Sequence, residues 1–237
     1  MKKGRFFSAI AGLLVATCAM AADFVSDQFT TPAGKVLTIT FVRHGSLAMS
    51  YDGKQIQVDP VSDYADYNAF PKADLILVTH AHGDHLDLKA IEALRKEGTV
   101  VVANPASAEK IERPAAQVMR NGDKKAWEGI QIEAVPAYNT TEGRDKFHPK
   151  HRDNGYVLDF DGLRVYVAGD TEDIPELAAL KAIDVAFLPV NQPYTMTPEQ
   201  AAKAARLIRP KVFYPYHYGE TPVADTLPKL LEGSGVE

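Results

Sequence analysis

Three histidines and an aspartate fall within six residues, at His80, His82, Asp84 and His85. Imidazole and carboxylate are the side chains that hold Zn²⁺ and similar divalent ions, and such an ion takes three or four protein ligands. One histidine would carry little meaning. Four donors directly behind the apolar run Leu75–Val78 are different, because packing gives no reason to gather polar groups there. His80 and His82 are two apart, so near a strand end their side chains can lie on the same side. Asp84 and His85 are adjacent and can point elsewhere, which lets one loop serve two neighbouring ions. Gly83 allows the tight backbone this needs.

The elements that must position this loop can be read from periodicity and turn signals. Strands are predicted at residues 35–42, 47–51, 55–58, 75–78, 99–103, 130–135, 155–160, 163–167, 185–188 and 212–214. Asp52-Gly53 and Asp161-Gly162 each separate two of these runs and signal hairpins. Asp87 can cap a helix over residues 88–97, with Leu88, Ile91 and Leu94 on one face and Gly98 as the stop. Thr197 can cap another, with Pro198 at its first position, running to Ile208 before Pro210. Early hairpins followed by strand–helix units are neither all-β nor simply doubly wound. Two packed sheets with helices outside would satisfy the pattern.

The chain has 237 residues, 46% of them hydrophobic and 24% charged, the balance of a globular protein with a sizeable core. Its first residues read separately. Lys2, Lys3 and Arg5 precede an apolar run over residues 6–15, and Ala19-Met20-Ala21 matches an A-x-A cleavage site. Residues 1–21 are therefore expected to be a signal peptide, with export most simply to a periplasm, and residues 22–237 a single domain. An uncleaved anchor and a lipoprotein modified at Cys18 are the alternatives. The run is short for a membrane span, and Thr17 suits lipidation poorly. Cleavage would remove the only cysteine, so no thiolate would be left as nucleophile or ligand. The formal net charge of −5, more negative still once three basic residues are cut away, argues against nucleic acid as a partner. No membrane span is expected after residue 22.

With the motif and its strand in view, THAHGDH resembles the H-x-H-x-D-H signature of the metallo-β-lactamase superfamily. Further pieces follow in that superfamily's order. Residues 56–60 (IQVDP) look like the strand whose aspartate, here Asp59, supports the site. Residues 165–171 (VYVAGDT) look like the strand ending in a metal-bridging aspartate, here Asp170. Residues 216–219 (YHYG) look like the last ligand motif, with His217. Each piece alone could be a turn, a cap or a loop histidine; their joint order carries the resemblance. One further histidine is expected between the first motif and Asp170. Some members place it where this chain has Asn139. Residues 147–153 (FHPKHRD) instead resemble a branch of small metal-dependent hydrolases in which the FHPK histidine, here His148, is the ligand, with His151 as the alternative. His44, in Arg43-His44-Gly45-Ser46, is similar to a segment near the site in the ascorbate-6-phosphate lactonase-like branch; it either stands behind the ligands, meets substrate, or is a turn residue.

The resemblance implies an α+β fold, a four-layer αββα sandwich. It implies two divalent ions, Zn²⁺ by default with Mn²⁺ or Fe²⁺ as alternatives, one on His80, His82 and His148, the other on Asp84, His85 and His217, bridged by Asp170. A hydroxide shared by two ions would attack an ester, lactone, amide or phosphodiester. Asp84 would orient it or relay a proton, and Asp59 would orient a ligand histidine. Tyr138, Arg144 and Tyr194 are candidate contacts to a small, anionic substrate, with Tyr216 a further candidate wall. The competing functions are a di-iron redox protein, a true β-lactamase and a non-catalytic metal-binding or sensing protein. The first is disfavoured by His82, which stands where the oxygen-reducing members have Glu.

Overall fold

The computed structural model describes residues 24–112 and 115–237; the expected signal peptide lies outside them. Two mixed sheets face each other. The first runs β1 (Ser26–Thr30), β2 (Val36–Arg43), β3 (Ser46–Tyr51), β4 (Lys54–Val58), β5 (Leu75–Val78), β6 (Val100–Ala103) and β7 (Gln117–Val118), in chain order across the sheet. The second contains β8 (Lys124–Trp127), β9 (Ile130–Ala137), β10 (Asp153–Phe160), β11 (Leu163–Val167), β12 (Val185–Pro189) and β13 (Val212–Tyr216), again in sequence order. Each sheet joins an antiparallel part, made of hairpins, to a parallel part, made of crossovers.

The strand β5 shows why its sequence is continuously apolar. Leu75 and Leu77 point between the sheets, where they meet a core that includes Met49, Tyr156, Val165 and Phe187. Ile76 and Val78 point the other way, onto Ala90, Ile91 and Leu94 of helix α1 (Leu88–Leu94). Both faces are covered, so both parities are apolar. Helix α2 (Pro105–Ala108) follows β6. On the far side, α3 (Pro198–Ile208) and α4 (Val223–Leu231) cover Val157, Tyr166, Ala186 and Leu188. The layers are therefore helix, sheet, sheet, helix, as in the αββα sandwich.

The predicted strands are all present, with ends shifted by a residue or two. Asp52-Gly53 and Asp161-Gly162 form the expected turns, all four residues having positive φ. Asp87 and Thr197 cap their helices, and Thr197 with Gln200 forms a reciprocal capping box. Helix α1 stops at Leu94 rather than residue 97, because Arg95 turns extended and the Lys96 N–H bonds to Thr99 Oγ1. Among the described residues, no helix is long and apolar enough to cross a membrane.

One edge of the sandwich collects the ends that matter. The C-terminal ends of β4, β5, β11 and β13, the start of β10 and the β2–β3 turn all lie there. Two backbone bonds stitch the sheets together at this edge, His217 N–H to His44 O and Asn154 N–H to Thr79 O. Ligands in open α/β sheets bind outside the carboxyl ends of parallel strands, for the same geometric reason.

Candidate metal centre

Residues from six separate segments converge at this edge. His80, His82 and His148 form one group of donors whose ligand atoms lie within 4.8 Å of one another. His44, Asp84, His85 and His217 form another, and His80, His85 and Asp170 a third. Asp170 sits between them: Oδ2 is 3.3 Å from His148 Nε2, 3.4 Å from His217 Nε2 and 3.9 Å from His80 Nε2. Its Oδ1 is 3.3 Å from His85 Nε2. One carboxylate thus reaches donors of both halves.

The ring nitrogens turned away from the centre are held by a relay. His80 Nδ1 lies 3.0 Å from Thr79 Oγ1, which donates to Asp59 Oδ2 at 2.6 Å. The same oxygen is 2.8 Å from His85 Nδ1, and the Thr79 N–H donates to Asp59 Oδ1. Since Thr79 Oγ1 donates onward, His80 Nδ1 must donate to it, which leaves His80 Nε2 as a lone pair facing the centre. The fully buried Asp59 does the same for His85. On the other side, His148 Nδ1 faces Asp153 Oδ2 at 3.3 Å, and Arg152 clamps that carboxylate through Nε and Nη2. Such outer partners fix the tautomer and aim of a ligand imidazole.

Several backbone features serve the site directly. His44, Asp59 and His217 all have φ between 45° and 57°, a left-handed conformation that costs non-glycine residues energy and that clusters at functional sites. Gly45 is required by closeness: a Cβ there would stand 2.7 Å from His85 Cε1. Gly169, at φ 65°, passes so near β10 that a Cβ would meet the Asn154 carbonyl at 2.7 Å.

The donor set fits a cation. His85 Nε2, His217 Nε2 and Asp170 Oδ1 are buried with no hydrogen-bond partner, though buried polar atoms are otherwise nearly always satisfied. Burial and the neighbouring His85 hold His80 well below the ordinary imidazole range. Burial and His148 likewise lower His82, so both are neutral lone-pair donors. Burial opposes the charge on Asp170, but His217 and His85 outweigh it and keep the carboxylate ionised. Burial also opposes a charge on His85, yet Asp170 and Asp59 raise it well above the usual value. Positive charge is wanted where that proton sits, and a metal ion supplies it.

A family model described as a β-lactamase superfamily domain matches residues 38–217. The chain belongs to the metallo-β-lactamase superfamily. A UPF0173 metal-dependent hydrolase of Thermococcus kodakarensis is 35% identical over 198 residues, covering 79% of this chain and 87% of its own. A crystal structure from Parabacteroides distasonis, of a protein proposed to be a metal-dependent hydrolase, superposes with a TM-score of 0.88 at 61% identity, covering 90% and 96% of the two chains. Igni18, a metallo hydrolase of Ignicoccus hospitalis, has a TM-score of 0.70 at 27% identity, covering 85% and 94%. With the family comes its class: the chain is a metal-dependent hydrolase.

In this superfamily member His148 joins the cluster, whereas His151 is exposed with φ 72° and belongs to none of the donor groups. Asn139, at the position where some members carry histidine, is buried and donates to the Arg144 and Tyr194 carbonyls, tying two loops together. A cavity of about 220 Å³ opens onto His82, Asp84, His148, Asp170 and His217, with Phe147, Asn191 and Tyr194 as its other walls. Tyr194 thus lines the space in front of the donors. Tyr138 and Arg144, expected to meet substrate, are not among the residues that line this cavity. The Tyr138 hydroxyl is bound by Glu176 and its ring is covered by Lys150, while Arg144 turns to the buried Glu172. Tyr216 is buried, its hydroxyl donating to the Gly169 carbonyl. Thr79, Asp153, Asn191 and Phe147 were not singled out from the sequence. Thr79 and Phe147 adjoin His80 and His148, which were, and only the third dimension shows what Thr79 and Asp153 hold.

Proposed function

We propose that the chain is an exported, dinuclear hydrolase that cleaves an ester, lactone, amide or phosphodiester bond in a small molecule. The observation that carries this reading is Asp170, placed within reach of both histidine sets, with buried lone pairs converging around it. His80, His82 and His148 would hold one ion, Asp84, His85 and His217 the other, and Asp170 both. Zn²⁺ suits this set of imidazoles and carboxylates, and Mn²⁺ or Fe²⁺ could replace it. Bound ions would lower the pKa of water toward neutrality and polarise the scissile group.

The protein's own residues supply order. Asp59 and Thr79 aim His80 and His85; Asp153 aims His148. Asp84 faces the cavity, with Oδ2 3.1 Å from His44 Nε2 and 3.4 Å from His217 Nε2. Burial works against its charge, but the neighbouring His217 and His44 imidazoles hold its carboxyl far below the usual range. Asp84 therefore stays ionised at neutral pH and can accept a hydrogen bond from attacking water, orienting it. Phe147 and Tyr194, in edge-to-face contact at 5.0 Å, screen one side of the cavity.

An anionic substrate finds less cationic surface than the sequence suggests. Arg144, Lys150 and Arg152 are already paired with Glu172, Glu176 and Asp153. Lys146 lies over the Phe147 ring and has no carboxylate partner among the described residues, so it is the cation left for that role. The reading as an exported protein rests on residues 1–21 alone.

The test is metal content of the purified protein beside hydrolysis of aryl phosphodiester, lactone and β-lactam substrates, with His82→Ala as control. Near two ions per chain and turnover lost in the variant is the expected result. Two ions with no turnover would favour a binding or sensing protein. Failure to hold any ion, even on adding Zn²⁺ or Mn²⁺, would end the reading.

A further inference from the structure

The larger opening in the molecule is elsewhere. A cleft of about 620 Å³ lies where the β2–β3 turn of the first sheet meets the end of β13 in the second. Aromatic rings contribute much of its wall: Phe41, Tyr64, Phe187, Tyr214, Tyr216 and Tyr218. Phe41 reaches across the sheets to Tyr214, ring centroids 4.9 Å apart, and Tyr214 stacks on Phe187 at 5.2 Å. Rings that bridge two sheets would ordinarily be packed over, because an unfilled apolar gap forfeits dispersion and burial. Here Phe187 is fully buried, but Phe41, Tyr64 and Tyr214 stay partly exposed and Tyr218 is exposed.

This cleft adjoins the metal centre across two imidazoles. His44 and His217 line it, and His217 also lines the smaller cavity in front of Asp84 and Asp170. The His44 and His217 rings lie 3.6 Å apart and form the partition between the two spaces, with Tyr64 5.4 Å from His44 on the cleft side. Its size falls within the roughly 300–1,000 Å³ of small-molecule pockets. The two charged residues at the rim, Arg43 and Glu220, are both exposed and of opposite sign, so net charge is not what it selects. Its partly exposed rings offer flat apolar surface instead.

We propose that this cleft takes the larger, aromatic or similarly flat apolar group of the substrate, while the scissile bond lies at the metal centre beyond His44 and His217. The proposal rests on the hydrolase reading for the bond but not for the binding, and the two can be tested apart. The probe is 2-naphthol, whose fluorescence reports binding to the purified full-length protein with or without metal. Variants are Tyr64→Ala, which removes one wall, Tyr64→Phe, which restores the ring, and Glu220→Trp, which fills the rim from an exposed position. Wild type should bind the probe saturably. Tyr64→Ala and Glu220→Trp should each weaken binding by about tenfold, the scale of one lost aromatic anchor, and Tyr64→Phe should restore it. Where the protein hydrolyses a bond class, the preference for a 2-naphthyl over an ethyl version should fall by a similar factor in the first two variants.

No saturable binding, or binding that both variants leave unchanged, overturns the proposal. So does probe binding lost as protein concentration rises, which would assign the cleft to a second copy of the chain. Probe binding without hydrolysis of any substrate supports the cleft and counts against the hydrolase reading. Hydrolysis with no probe binding does the reverse.

Discussion

The half of the centre around His85 and the half around His82 differ in what stands behind them. His85 and Asp59 are both fully buried, and they sit on or beside the ends of the central strands β4 and β5. Asp59 there serves two imidazoles at once. His82 is only partly buried, and its partner His148 is carried on the long connection between β9 and β10. That connection is held by side chains rather than by a sheet: Asn139 to the Arg144 and Tyr194 carbonyls, Glu172 to Thr140 and Thr141, Arg152 to Asp153. A rigid half and a loop-borne half suit different tasks. The first is braced by buried hydrogen bonds to Asp59; the second can be altered without disturbing the core.

The strongest way to break this comparison is to remove what the halves share. Asp170→Ala should abolish the distinction by weakening both. Metal content should fall to one ion per chain or fewer, and turnover should drop by more than the roughly 10–100-fold that outer partners are worth. Elemental analysis after dialysis, beside turnover, checks this. Two tightly held ions in the variant would show that Asp170 does not join the halves.

A pair of variants sharpens it. Asp59→Asn removes the acceptor charge behind His80 and His85, and Asp153→Asn removes the one behind His148. Each should cost roughly 10–100-fold in metal affinity. Asp59→Asn should affect both ions, since its relay reaches His80 through Thr79, whereas Asp153→Asn should affect one. Competitive titration against a chromophoric chelator separates one weakened step from two.

Gly45→Ala touches the rigid half only. The added methyl would stand 2.7 Å from His85 Cε1 and must push the ring or the turn aside. Overpacking of this kind costs about 1–3 kcal/mol, here as roughly a tenfold loss or more in affinity for the ion on His85. The His80, His82 and His148 set should keep its ion. Equal weakening of both steps in the same titration would mean the halves are mechanically one unit.

The same division explains what the sequence made legible. Four donors, drawn from both halves, are local: His80, His82, Asp84 and His85 lie in one loop after an apolar strand, so residue type and spacing announce them. Strands such as Leu75–Val78 and Leu163–Val167 are readable to the residue because the first is continuously apolar and the second starts directly after the Asp161-Gly162 turn. The donor carried on the β9–β10 connection was not readable in this way. His148 and His151 are chemically equivalent in sequence, and only folding sends one inward and leaves the other in solvent. Tyr138 and Arg144 looked available for substrate because Glu176 and Glu172, their partners, lie 38 and 28 residues away. Helix α2 went unread because it is only four residues long; the other unread elements lack a clear local signal. Strands β1, β7 and β8 are short, polar edge segments, and α4 carries Pro228 inside it and no side-chain cap, so none has a strong local signal.

The smallest expected effect tests the loop's anchor without touching a metal donor. Glu172 is buried and accepts from the Thr140 and Thr141 N–H groups at 2.8 and 2.7 Å, with Arg144 3.4 Å away. Burial alone would raise its carboxyl, but the hydrogen bonds from Thr140 and Thr141 outweigh it and hold it below the ordinary value of 4.5. A carboxyl lowered on folding contributes stability that is fully present above its unfolded value and is lost as pH falls through its folded one. Glu172→Gln should therefore cost about 2 kcal/mol at neutral pH, the worth of hydrogen bonds to a charged acceptor, or roughly 4–8 °C in Tm for a domain of this size. The gap between variant and wild type should narrow as the pH is taken below 4.5, because the wild-type carboxylate is then itself neutralised. A gap that stays constant through acid would mean that Glu172 acts by shape rather than by charge, and the loop-borne half would be held by packing after all.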